Sequence, residues 1–421
     1  MRRRSVPISG DAPMSELIPK SPRLTDVPRL ATRADTTETD MTRLVPVAIV
    51  VFLGLMALGL PLAVIPLQVH RVLGFDTTIV GWVMAVESAV TLLTRRFAGR
   101  YSDRHGPKRA MTLGLAGAAA SGVLYLAAEI PKAGYGSLLF IVLGRVFMGY
   151  GESLIFTSGG AWPIGLLGMD KVGKALSWIG IAMFGGIAAG TALGTLLYEH
   201  IGFGAAGGAT IAAPALAYAV ARRLPAVRVE GGEPAPFRRI VAILWRAGAG
   251  FFLAGIGYAG VSSFLVLAFA ARGWGGGGYA LATFGGSFVL ARIVLGRWTD
   301  DVRTSNFLVG TLLTEVVGLG LLSFAHTPWL GFAGAAIAGF GASMVYPLFA
   351  LPAMRNVPPA SVGTAIGTYD ACFDLSLMIA APAFGWLAEL VPVQSVFGCA
   401  AIAVLASTFF AVSAYRNGYR T

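Results

Sequence analysis

The chain has 421 residues, of which 56% are hydrophobic and only 13% charged, with a mean hydropathy of +0.71. Soluble domains carry about 25% charged residues, so the composition excludes a soluble fold. No polar stretch is left over to build a large extramembrane catalytic domain. The net charge of +11 does not point to nucleic acid, because the basic residues form short clusters between apolar runs and read as loop charges at a membrane surface.

Residues 1–42 are rich in Pro, Thr, Asp and Arg and hold no apolar run. They are expected to form a disordered cytoplasmic tail, or an upstream extension of a chain initiated at Met41. No apolar segment comes after Arg2, Arg3 and Arg4, so a cleaved signal is not expected. The 379 residues that remain hold about 12 spans of about 20 apolar residues with their connections. The apolar runs place them near 44–68, 79–97, 110–129, 137–162, 175–198, 203–221, 246–270, 279–295, 307–325, 330–354, 363–387 and 395–415. The expected fold is all-α and integral to the membrane, with six-helix bundles over 43–221 and 246–416 joined by a cytoplasmic linker over 222–245.

With the N-terminus inside, segments on the cytoplasmic side hold 27 Lys and Arg, and the external loops hold three: Arg71, Lys132 and Arg272. That bias orients the chain with both termini in the cytoplasm, which requires an even number of spans. All eight tryptophans fall at or near a proposed helix end, the headgroup level that amphipathic rings prefer. Cys372 and Cys399 lie in apolar runs and read as small core residues. The four histidines have no metal-ligand spacing, and no G-x-x-x-x-G-K-[ST] loop is present to bind a nucleotide.

A charge at the bilayer centre costs about 2.5–3.5 kcal/mol on insertion scales, so each buried ionisable group needs a reason. Glu87 falls in span 2, Arg145 and Glu152 in span 4, Glu315 in span 9, and Asp370 and Asp374 in span 11. Arg145, Gly149 and Glu152 have an i, i+4, i+7 spacing and share one helical face. Arg145 and Glu152 stand about 10 Å apart along the axis, so each is expected to meet the cavity or another helix rather than its neighbour. Asp370 and Asp374 stack at i, i+4 about 6 Å apart and resist joint ionisation; Asp374 is expected to carry a proton or substrate, and Asp370 a structural contact. Glu87 reads equally as functional or structural. Glu315 is expected to be structural. Arg95 and Arg292 lie near the cytoplasmic end and are expected to snorkel.

The two halves repeat one another. Thr91–Asp103 reads TLLTRRFAGRYSD and Phe288–Asp300 reads FVLARIVLGRWTD, so at a 197-residue offset Arg95 meets Arg292 and Asp103 meets Asp300. At a 190-residue offset Gly149, Gly151 and Ser153 meet Gly339, Gly341 and Ser343. Duplication of a six-helix unit is the usual origin of a two-bundle transporter.

The loop GRYSDRHGPKR, Gly99 to Arg109, resembles the major facilitator superfamily signature, with Gly99, Asp103, Arg104, Gly106, Lys108 and Arg109 all matching. The second copy keeps Gly296, Arg297 and Asp300 and places Asp301 where the arginine would stand. LGRVFMGYGES in span 4 resembles the family's Arg-x-x-x-Gly motif, with Arg145 and Gly149 matching. The glycines of span 5, among them Gly185, Gly186, Gly190 and Gly194, resemble the exporter signature but lack its Gly-Pro element. The resemblance covers about residues 43–416 and points towards bacterial proton-coupled efflux proteins of the arabinose-efflux-like or drug:proton antiporter kind.

The resemblance implies a monomer in the bacterial inner membrane that works by alternating access. Its partners would be the bilayer, a small organic substrate and protons, with no cofactor, metal or nucleic acid. Asp103 would latch the cytoplasmic side in the outward-facing state. Glu152, Asp374, Arg145, Glu87 and Asp370 would couple protons. Arg145, Glu152, Phe156, Tyr258, Ser262, Tyr346, Tyr369, Phe373 and Asp374 would line the cavity. The rival readings are an uptake symporter for a sugar or organic acid and, more distantly, an integral membrane enzyme.

Overall fold

The computed structural model describes residues 33–131, 134–167, 172–227, 237–295, 305–354, 356–357 and 362–418. Contacts divide the chain into Met1–Thr42 and Arg43–Thr421. The described residues hold 12 helices long and apolar enough to cross a membrane. In chain order these are α1 (Leu44–Val72), α2 (Thr77–His105), α3 (Pro107–Ala127), α4 (Tyr135–Leu167), α5 (Trp178–His200), α6 (Phe203–Ala221), α7 (Arg238–Ala271), α8 (Gly277–Leu295), α9 (Ser305–Phe324), α10 (Pro328–Met354), α11 (Thr364–Leu390) and α12 (Ser395–Tyr415).

Three expected boundaries move, the first being the end of α2, which runs on to His105 where an end near 97 was expected. The helix carrying α1 starts at Arg33, so the end of the segment expected to be a disordered tail is helical; the rest of that segment, 1–32, lies outside the described residues. Elongating a helix is far easier than nucleating one, and the apolar span supplies the nucleus. For the same reason the helix carrying α7 runs unbroken from Phe237, where a linker was expected up to 245.

Each half packs in the same way. α3 lies on α4 and α6, and α2 on α4; in the second half α9 lies on α10 and α12, and α8 on α10. The halves meet along two seams, α2 against α11 and α5 against α8. The seam helices are thus exchanged between repeats, as a pseudo-two-fold relation requires.

Small residues set the closest approaches. A Cβ at Gly186, Gly190 or Gly194 of α5 would overlap the α1 carbonyl oxygens of Phe52, Met56 and Leu60 respectively, so α5 is pressed onto α1 turn by turn. Prolines mark the irregular segments. α1 passes into a π-turn over Gln68–Val72 after Pro61 and Pro66. α10 is interrupted between Ala342 and Val345, just ahead of Pro347, whose missing N–H leaves a carbonyl of the preceding turn unpaired.

Candidate functional site

The α2–α11 seam carries the densest charge. Arg95 of α2 reaches across it to both aspartates of α11. Its Nε and Nη2 donate to Asp374 at 2.5 and 2.9 Å, and its Nη1 donates to Asp370 at 3.1 Å. The planar fork of a guanidinium suits this paired geometry. The i, i+4 spacing that stacks Asp370 over Asp374 lets one arginine meet both. Arg95 was expected to snorkel; it instead crosses the seam, because two carboxylates lie closer than the headgroup level.

One turn before Arg95, the Thr91 hydroxyl donates to Glu152 Oε2 at 2.7 Å and lies 3.1 Å from the Gly149 carbonyl oxygen. This contact depends on close helix packing: a Cβ at Gly149 would overlap the Glu87 carbonyl oxygen. Glu152 is in turn within electrostatic reach of Glu87, Asp374 and Arg95. Four acids (Glu87, Glu152, Asp370 and Asp374) and two cations (Arg95 and, through Glu87, Arg145) therefore belong to one connected field beside the contact between the halves.

Arg145 takes another course. It is 3% exposed, is ion-paired with Glu87 and donates to the Met84 carbonyl oxygen at 3.1 Å. Of the two surroundings expected for it, the cavity or another helix, it meets another helix, since Glu87 of α2 sits opposite it. Glu315 is buried and its Oε2 has no hydrogen-bond partner among the described residues. With Val404 of α12 and Leu319 it surrounds Gly257 of α7, inside the second bundle.

Four of the expected lining residues come together as an aromatic wall. Tyr369 and Phe373 both stack with Phe251, at centroid distances of 4.6 and 5.2 Å, and Tyr346 meets Phe251 edge-on at 5.4 Å. Tyr258 joins through Phe373 at 5.4 Å. Tyr346 also stands within electrostatic reach of Asp370, Arg95 and Arg292. Phe251, the centre of this wall, was not singled out in the sequence; its 3.6-residue register with Tyr258 on α7 is the signal that carries it. Phe156 packs at the edge of the core. Ser262 is buried, with its hydroxyl directed at the Ala259 carbonyl oxygen of its own helix.

The Gly99–Arg109 segment, expected to be a loop, is almost wholly helical: Gly99–His105 completes α2 and Pro107–Arg109 begins α3. Gly106, at φ +88°, is the single residue between α2 and α3, and Pro107 opens α3. A positive φ suits glycine there, and proline fits a first helical turn. Lys108 donates to the carbonyl oxygens of Arg222 and Leu224 at 3.0 and 2.5 Å, so this motif residue anchors the segment after α6. Asp103 is exposed and makes no hydrogen bond or ion pair among the described residues. Arg104 and Arg109 line a shallow cleft there with Val227. Asp300, its expected counterpart, lies outside the described residues.

At the opposite end of α2 the seam is closed as well. Thr77 donates to Glu389 Oε1 through its backbone N–H at 2.6 Å and through its hydroxyl at 2.5 Å. Arg71 donates to the Ala270 carbonyl oxygen. The halves are thus joined both near Arg95 and at the far end.

Twelve spans, a duplicated packing plan and a charged seam define a secondary transporter built from two halves. The sequence matches the Major Facilitator Superfamily over residues 47–286 and 249–420, and the chain belongs to that family. It is 37% identical to the uncharacterized MFS-type transporter PA1993 of Pseudomonas aeruginosa over 381 residues, 90% of this chain and 94% of that protein. It is 34% identical to the uncharacterized MFS-type transporter YhhS of Escherichia coli K12 over 368 residues, 86% of this chain and 91% of that one. The human organic anion transporter MFSD10 (TETRAN) superposes with a TM-score of 0.69, covering 88% of this chain and 99% of that one, at 18% identity. That likeness shows the fold.

Proposed function

We propose that this transporter is a proton-coupled antiporter that exports a small organic molecule, of the arabinose-efflux-like or drug:proton kind, from the cytoplasm of a bacterial cell. The observation that carries the reading is the Arg95–Asp374–Asp370 cluster across the α2–α11 seam. It combines titratable groups and an inter-half contact in one place. A proton on Asp374 removes the charge that holds Arg95, so proton binding and separation of the halves become linked, and a bound proton favours the state in which the seam is open.

The position of the cluster supports this reading. Arg95 is ten residues from His105 and 18 from Thr77, so releasing it frees the end of the bundle that bears the basic loop, the side the positive-inside rule assigns to the cytoplasm. In the proposed cycle a proton from outside opens that end, substrate enters, the proton leaves to the cytoplasm, and the ion pair reforms behind the substrate. Glu152, held by Thr91 beside the cluster, supplies a second site for the proton. The fixed Arg145–Glu87 pair holds α4 against α2 so that Glu152 keeps its place.

The test is proton flux in everted membrane vesicles across a panel of drugs, sugars and organic anions. Proton release on substrate addition is expected, lost in Asp374→Asn and in Glu152→Gln with protein levels maintained. Proton movement in the same direction as substrate would establish symport instead. Flux indifferent to both substitutions and to the proton gradient would overturn the coupling.

A further inference from the structure

The second seam carries a cation whose counter-charge is missing. Arg292 of α8 stands at the 197-residue offset from Arg95, and it crosses to α5 as Arg95 crosses to α11. Its Cζ lies 5.2 Å from the Phe184 ring centroid and 5.5 Å from that of Phe288. Its Nη1 is directed to the space a Cβ at Gly180 would fill. Under the 190-residue offset that relates α4 to α10, Gly180 and Phe184 occupy the positions of Asp370 and Asp374. The repeat has kept the arginine and lost both acids.

Among the described residues Arg292 forms no ion pair, and its buried Nε has no hydrogen-bond partner. A buried carboxylate can escape an unpaired charge by taking a proton, whereas a guanidinium stays charged. Contact with two rings offsets only part of the cost of taking the charge out of water, and Arg292 is half-buried with its Nε fully enclosed. The same two rings line a cavity of about 20 Å³ between the halves, with Tyr258, Phe284, Thr191 and Gly285 in its walls. Arg292 sits seven residues from Gly285 towards the basic end, about 10 Å along the helix. An anion entering from that end meets Arg292 before it meets the cavity.

We propose that Arg292 recognises the oxyanion group, carboxylate or phosphonate, of an organic anion whose apolar body lies on the aromatic wall of Phe184, Tyr258, Phe284 and Phe288. The substrate supplies the counter-charge that α5 lacks. The cavity holds about one water in this closed arrangement and widens as the halves separate. This names the substrate class for the proposed transport route and rests on that route lying between the halves.

The test is equilibrium binding to the purified full chain in detergent, with no gradient, read as a shift in unfolding temperature. Benzoate and phenylphosphonate are compared with the uncharged benzamide and the cationic benzylammonium, each at millimolar concentration. Both anions are expected to raise the unfolding temperature, benzamide weakly, and benzylammonium not at all. Arg292→Gln is expected to weaken anion binding roughly ten- to hundredfold, the loss of one charged hydrogen-bonding partner, and Arg292→Lys to retain part of it. Phe184→Asp restores the acid that the first seam has, and is expected to abolish anion binding while the protein stays folded, which keeps the test decisive if Arg292→Gln does not fold. No stabilisation by either anion, preference for benzylammonium, or anion binding that survives Phe184→Asp would each overturn the proposal. Anion binding is read here with no gradient and proton coupling is read as flux in vesicles, so failure of proton coupling and failure of anion recognition give different results.

Discussion

Arg145 and Arg95 show how the same side chain takes two roles according to what lies opposite it. Arg145 is enclosed with a single acid, Glu87, within one half. Removing one member of such a buried pair leaves the other uncompensated, at about 3–5 kcal/mol. Glu87→Gln is therefore expected to lower the denaturation midpoint of the purified protein in detergent, while the double replacement Glu87→Leu with Arg145→Leu recovers much of the loss; equal damage from the double variant would show that the pair has a role beyond satisfying its own charge. The sequence made Glu87, Arg145, Glu152, Asp370 and Asp374 legible because charge in an apolar run is rare and the i, i+4 spacing fixes a shared face. It did not reveal that Arg95 spans the seam. A residue near a helix end can always reach the headgroups by snorkelling, so nothing in its own surroundings demanded a partner.

At the scale of elements, hydropathy alone located the spans found among the described residues, because a bilayer allows so few backbone solutions; most ends fall within a few residues, while α2 ends eight later and α7 begins eight earlier than expected. Where helices touch is set by the smallest side chains. The α5 series Gly186, Gly190 and Gly194 lies against successive α1 carbonyls, and its spacing in the sequence announced close contact without naming the partner. Gly190→Val is expected to push α5 off α1, lowering the yield of folded protein and its thermal midpoint, because the atom it meets is the backbone oxygen of Met56, which has no rotamer to yield. Gly208→Val of α6 is the control, since no atom lies within 4 Å of its added Cβ, and it is expected to be silent in the same measurement. Helix ends were less legible: α1 and α7 begin earlier than their apolar content suggests, since a helix once nucleated runs on through polar residues.

For the whole molecule, the offsets between repeats foretold a two-fold plan, and the packing of α2 on α11 and of α8 on α5 conforms to it. What they could not give is which seam contacts hold in a given state of the cycle. Thr77 and Glu389 hold the far end shut. In a background with Cys372 and Cys399 replaced by serine, Thr77→Cys with Glu389→Cys bridged by a short bifunctional maleimide is expected to stop transport. Each single cysteine treated in the same way should leave transport intact. Transport that continued with the bridge complete would mean that this end need not open.

The connector between the halves is tethered at its start. Lys108 grips the carbonyls of Arg222 and Leu224, and the indole of Trp162 donates to Pro225 at 3.1 Å. These residues move as part of the first bundle, which as a mechanical body therefore extends past the end of α6 to Pro225. The signature loop is thereby more than a marker of sidedness. Through Lys108 it fixes the chain to the first bundle as far as Pro225, and a charge change there would loosen that anchorage without touching the substrate path.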